Sequence, residues 1–256
     1  MTITLDGESL TIDKLVDVAR NKHQVEVTKG AWQRIESCRK MLEKKIEGHE
    51  TMYGVTTGIG EFSEVTLTPE QIKEFQKLLV YSHAAGIGEP MEIEVVRGAM
   101  CGRINVHSKG YSGGRRKVTE YLAESLNHGL TPVVCEKGSV GACGDLAPMS
   151  QIALALMGEG EMFVNGKITE SKAALKSIGL KPLELEARDG LAIINGSNVL
   201  TALAAIILHD SKKWIKLHDI TAAMTLEALM ANMKPYDKRI HVLRGFQGAQ
   251  KVSENL

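Results

Sequence analysis

The sequence predicts a mainly α protein, a bundle of long helices with a small mixed α/β part at the N-terminal side. Three observations predict it. Ala, Leu and Met are plentiful while aromatic residues make up only 4% of the chain, which favours helices over a β-sandwich. Apolar residues recur at helical spacing in several segments. The last long segment, Ser197 to about Asn232, would run roughly 54 Å as a helix at about 1.5 Å per residue. A helix of that length needs neighbours, so it belongs in a bundle.

Each element has a local reason. "TITLDGESLT" reads as a short strand and a turn at Asp6-Gly7, and Thr11 caps a helix through about Arg20. A second helix fits Ala31 to Ile46, with Ile35, Cys38, Met41 and Leu42 on one stripe. "MYGVTTGIGEFS" is a glycine-rich loop, after which Pro69 opens a helix through about Ala84. Helical spacing returns over 92–107 and 114–128, with "KGYSGG" as the loop between. "GLTPVV" is extended, and a helix begins near Asp145 and continues through Met157. "EMFVNGKIT" is a hairpin, because Asn165-Gly166 suits a type I′ turn. Thr169 starts a short helix ending at Gly179, and Lys234-Pro235 stops the long one. No clear closing element follows. The organisation expected is 1–196 as one region and 197–256 as the start of a central helical bundle.

Composition narrows the function. Lys plus Arg and Asp plus Glu are 31 each, so no charge excess points to nucleic acid or an anionic membrane. The N-terminus has no basic start and no apolar run, and Val199 to Leu208 is too short to span a bilayer. Cys38, Cys101, Cys135 and Cys143 form no CxxC pair, so no structural zinc is expected. Reduced thiols in a cytoplasm are expected instead.

The loops carry the chemistry. In "GSVGACGDLAP", Gly138, Gly141 and Gly144 open backbone shapes closed to other residues, and Asp145 can cap the helix that follows. Cys143 therefore stands near a helix N-terminus, where negative charge is favoured. It reads either as an activated thiol or as a small residue in a tight turn. The Gly54–Gly60 loop lacks the lysine and spacing of a phosphate loop. Tyr53 is a packed aromatic or an acid/base phenol, His83 a helix-end histidine or a ligand, and "NGSN" (195–198) a turn and cap or a binding loop.

Five blocks taken in order resemble the aromatic amino acid lyase family: "YGVTTGIG", "SHAAGIGEP", "GSVGACGDLAPMSQIALALMGEGE", "KPLELEARDGLAIINGS" and "KPYDKRIH". Members of that family build a methylidene-imidazolone group (MIO) from their own backbone. The resemblance implies that Gly144 nitrogen attacks the carbonyl carbon of Ala142 and that residue 143 then undergoes β-elimination. The family triad is Ala-Ser-Gly; here it is Ala-Cys-Gly, so elimination would release hydrogen sulfide. The resemblance further implies Tyr53 as the base that removes the substrate β-proton. It implies Asn195 as the residue positioning MIO and substrate, and His83 as the reader of the substrate ring. Asp145 and Gly60 are supporting positions. The implied reaction is loss of ammonia from an aromatic L-amino acid, first L-histidine to urocanate. The alternatives are a tyrosine lyase or a 2,3-aminomutase, a non-catalytic subunit without MIO, and an enzyme using the Cys143 thiol directly. Family subunits are about twice as long, which implies a second polypeptide supplying a further tyrosine, an arginine for the substrate carboxylate and a glutamate. A split enzyme in a hetero-oligomer is the expected assembly, with truncation or proteolysis of a longer chain as the competing account.

Overall fold

The Thr11 hydroxyl accepts the amide of Lys14 at 3.3 Å, and α1 (Ile12–Ala19) follows the cap as expected. The computed structural model describes residues 1–141 and 144–256. Strands β1 (Thr2–Leu5) and β2 (Gln24–Val27) alternate exposed and buried residues, and they pair in parallel. A parallel pair needs a crossover, and α1 supplies it. The sequence reading had no second strand here.

Helix α2 (Lys29–Glu47) buries Ala31, Ile35, Arg39 and Leu42. Two members of the expected stripe leave it: Cys38 is half-buried and Met41 exposed. Met41 lies one residue, about 100° of helix rotation, away from Leu42. A 3₁₀ turn at Gly60–Phe62 interrupts the glycine-rich loop. Helix α3 (Pro69–His83) opens with a reciprocal cap between Thr68 and Gln71. Next come β3 (Ile87–Pro90), the heavily buried α4 (Ile93–Ser108) and α5 (Arg116–Asn127).

Strand β4 (Thr131–Pro132) leads to β5 (Cys135–Lys137), which pairs antiparallel with β3. After α6 (Leu146–Leu156), β6 (Glu161–Val164) pairs with β4 and with β7 (Lys167–Glu170). Asn165 and Gly166 have φ of 50° and 78°, the two left-handed residues of a type I′ turn. Thr169 does not start a helix: it pairs with Met162 in the hairpin, and α7 (Ser171–Ser177) begins after the strand ends. A short helix not foreseen, α8 (Asp189–Ile194), precedes α9 (Asn198–Ala228). Helix α9 stops at Ala228 rather than near Asn232, and Met230 takes a left-handed φ of 47° just beyond.

The described residues form two units, 1–206 and 207–256. The core of the first gathers Leu5, Met100, Ile104, Leu122, Ile152 and Leu156, all fully buried, with α4 packed against both α1 and α5. In the second, Asp237 caps α10 (Lys238–Arg244), Gly245 ends it at φ 75°, and α11 (Gln247–Asn255) follows. The C-terminal part thus has closing elements that the sequence reading lacked. Asn255 Nδ2 donates to Asp219 Oδ2 of α9 at 2.7 Å. By length and composition alone the helical stretch 189–228 is long and apolar enough to cross a membrane; half of its most apolar window is buried in the fold.

Candidate active site

The site is built on α8, a six-residue helix held from both ends. At its start Asp189 is wholly buried and accepts the Arg115 backbone amide at 2.9 Å and Arg115 Nε at 2.7 Å. The amide of Glu186 donates to the same carboxylate at 3.0 Å. In the next turn the carbonyl of Ala192 accepts three donors: Arg103 Nε at 2.7 Å, Arg103 Nη2, and His107 Nε2 at 2.9 Å. Arg103 Nη1 reaches past the helix end to Asn198 Oδ1 at 3.2 Å. One guanidinium therefore brackets the turn that carries Asn195 and Gly196.

Arg103 and His107 project from α4 and are almost completely buried. Burial, then the nearby Arg188 charge, lowers Arg103 to about 10, so it stays cationic at neutral pH. Burial, then the Arg103 charge, drives His107 down to about 3. Because a carbonyl only accepts, His107 Nε2 carries the proton, and Nδ1 accepts from Thr119 Oγ1 at 3.0 Å. The unfolded chain binds a proton at this imidazole near pH 6.5, whereas the folded chain refuses it until about pH 3. Stability from this group is complete above pH 6.5 and is lost as pH falls toward 3. Lowering the pH from 7 to 5 is expected to cost about 2 kcal/mol. Urea midpoints at the two pH values check this, and His107→Gln should flatten that part of the profile.

Around α8 the distant sequence blocks converge. A Cβ on Gly54 would lie 2.7 Å from Leu191 Cδ2, which sets the Tyr53 loop against α8. A Cβ on Gly138 would lie 3.1 Å from the Cα of Gly86, which sets the start of the glycine-rich loop against the segment leaving His83. At the loop's other end, the Asp145 amide donates to the Gly196 carbonyl at 3.0 Å. Helices α3, α6 and α8 pack on one another beneath these loops.

Tyr53, His83 and Asn195 are all among the described residues. Tyr53 is 60% exposed, and its hydroxyl accepts the amide of Gly60 at 3.1 Å. His83 ends α3, half-buried, with Nδ1 donating to the Leu79 carbonyl at 2.8 Å. In the neutral tautomer that bond selects, Nε2 is the acceptor. Asn195 closes α8 and is exposed. Ala142 and Cys143 lie outside the described residues.

Asp145 corrects the sequence reading. It stands at the N-cap position of α6, yet its carboxylate makes no bond to that helix. One oxygen accepts from Ser139 Oγ at 2.8 Å, and the other from the Leu200 amide in the first turn of α9 at 2.9 Å. The carboxylate serves the positive end of the longer helix. Sequence reasoning also missed Arg103, whose signal was a lone cation among apolar neighbours in "MCGRIN", and Ser139, which carried none.

Gly144 is the one member of the triad among the described residues. Gly144 has φ 98°, and a Cβ there would lie 2.5 Å from the Gly196 carbonyl carbon, so the position admits no side chain. The Gly144 amide lies 3.3 Å from the Gly141 carbonyl. Asn195 also lines a cavity of about 350 Å³ with Arg103, Arg188 and Tyr111. A bigger cavity, about 720 Å³ between α3 and the segment 182–185, touches none of these residues. Among the described residues no group of three or more His, Cys, Asp or Glu gathers as metal ligands would.

A phenol, an imidazole and a carboxamide thus stand on the loops and helix ends that pack about α8 and the segment ending at Gly144. The chain belongs to the aromatic amino acid lyase family, which it matches over residues 10–256. It is 42% identical to the histidine ammonia-lyase of Alkaliphilus oremlandii over 99% of its own length and 50% of that protein's. Two solved structures superpose with a TM-score of 0.92: histidine ammonia-lyase from Trypanosoma cruzi, 34% identical, and tyrosine aminomutase from Streptomyces globisporus, 32% identical. This chain is covered 100% in both, against 49% of the first and 48% of the second. The chain spans about half the length of the relatives it matches.

Proposed function

We propose that this chain is the MIO-bearing half of an ammonia-lyase that converts L-histidine to urocanate in the cytoplasm. The observation that carries the reading is that the Tyr53 loop packs on α8, the segment leaving His83 meets Gly138, and the turn after Asn195 binds the Asp145 amide, at the two ends of the 138–145 loop. The MIO group of Ala142-Cys143-Gly144 would supply an electrophilic methylene that takes up the substrate amine and makes it a better leaving group. Tyr53 removes the β-proton; its exposed hydroxyl already accepts a hydrogen bond from Gly60, which holds the ring in place. His83 Nε2 accepts from an N–H of the substrate imidazole, since its Nδ1 proton is committed to Leu79. Asn195 presents its carboxamide from a turn pinned by Arg103.

Residues 197–256 begin a central bundle that the rest of the site completes, on a second polypeptide in a hetero-oligomer. That other half supplies the group that holds the substrate carboxylate. The apolar side chains Leu217, Ile220 and Met224 of α9, exposed within the second unit, are suited to such packing. The likeness to tyrosine aminomutase supports a second reading, in which ammonia is re-added to give a β-amino acid.

Intact mass and product analysis of the chain, together with whatever copurifies, test the proposal. The expected mass is lower than the sequence mass by one water and one hydrogen sulfide, with urocanate formed only when the other half is present. An unmodified mass in material that turns over histidine overturns the MIO reading. A β-amino acid product replaces the lyase by the mutase. Full activity of the isolated chain refutes the split assembly.

A further inference from the structure

Ser139 lies three residues before the triad, and its hydroxyl makes two bonds. It donates to Asp145 Oδ1 at 2.8 Å and accepts the amide of Gly141 at 3.3 Å. Asp145 itself is 1% exposed and fixed from outside the loop: Oδ2 accepts the Leu200 amide, and its own amide donates to Gly196. Through one carboxylate, therefore, the segment entering the triad and the residue leaving it are tied to the same turn. We infer that Ser139 is a positioning residue for ring formation in this chain, tying the residues just before the triad to the carboxylate of Asp145 just after it, so that ring closure starts from flanks already fixed. The inference rests on the MIO reading above.

The chemistry needs this. Ring closure forms a bond between Gly144 nitrogen and the Ala142 carbonyl carbon. The carbonyl oxygen leaves as water with the two amide hydrogens of residues 143 and 144. Loss of the Cys143 α-proton and sulfur as hydrogen sulfide then forms the exocyclic double bond. No electrons are gained or lost overall, and no co-reactant is required. An amide nitrogen is a weak nucleophile, so the rate rests on holding the two atoms in near-attack geometry. The loop's glycines make that geometry entropically expensive, because Gly138 and Gly141 both have broad backbone freedom. Ser139 removes part of that freedom by fixing the segment between them. It plays no part in later turnover, which places its effect on maturation and not on the matured site.

A time course of intact mass after cell-free synthesis of the full chain with the other half tests the inference. In Ser139→Ala the lighter species should appear about tenfold more slowly than in the natural chain. Ser139→Thr, which keeps the hydroxyl, should restore the natural rate. The thermal midpoints of the three proteins should agree within a few degrees, because Ser139 is exposed. Once fully matured, the alanine variant should show unchanged kcat. Equal maturation rates in the natural and alanine proteins overturn the inference while leaving the MIO reading intact. A natural chain that never loses mass removes both.

Discussion

Gly144→Ala is expected to abolish ring formation and to cost the fold about 3 kcal/mol. Two terms add. A non-glycine residue at φ 98° carries backbone strain of about 1–2 kcal/mol. The new Cβ would also meet three backbone atoms of Gly196 at 2.5–2.8 Å. Overpacking against an immobile neighbour costs about 1–3 kcal/mol. Gly196 cannot retreat, because its carbonyl is bound to the Asp145 amide and Arg103 Nη1 lies where its own Cβ would be. Gly141→Ala separates the terms. It shares a positive φ of 74° but has nothing within 4 Å of the new Cβ. It should cost only the strain, about 1 kcal/mol. Urea midpoints of the two variants, with their intact masses, check the pair. Equal losses at both positions would show that the approach of Gly196 is not what confines residue 144.

The sequence carried most of the long helices and the family's loop motifs, because both are written locally. Caps such as Thr11 and Thr68 act over three residues, and Asn165-Gly166 sets a turn by itself. What the sequence did not carry depends on distant partners. The parallel pairing of β1 with β2 is closed across α1, and α8 is six residues too short to show a period. Asp145 shows the limit most clearly. Read locally, an acid before a helix caps that helix; in the fold, a longer helix 55 residues away in sequence presents its first turn and takes the carboxylate. The local rule lost to a stronger dipole that no local pattern announces. Arg103 was similarly hidden, since its acceptors, Ala192 and Asn198, lie about ninety residues further along the chain.

Arg103→Met is the second large effect, and its sign is the informative part. The guanidinium is buried with no carboxylate partner among the described residues, and burying an uncompensated cation is unfavourable. Replacing it by an isosteric apolar chain could on that ground stabilise the protein. Against this stand the acceptors left behind. Asn198 Oδ1 loses its donor, and Ala192 retains only His107. Hydrogen bonds to a charged donor contribute about 1.5–3 kcal/mol each, and a buried acceptor left empty costs its full desolvation. Three bonds, two to the Ala192 carbonyl and one to the Asn198 side chain, outweigh the desolvation already paid, so the variant should lose about 3 kcal/mol and, with the Asn195 turn loosened, most of its activity. Arg103→Lys distinguishes charge from geometry. An ammonium is a single point and cannot hold Ala192 and Asn198 at once, whereas the planar fork does. Lysine should therefore recover part of the stability and little of the activity. A methionine variant more stable than the natural chain would show instead that this cation is kept for the site at the expense of the fold.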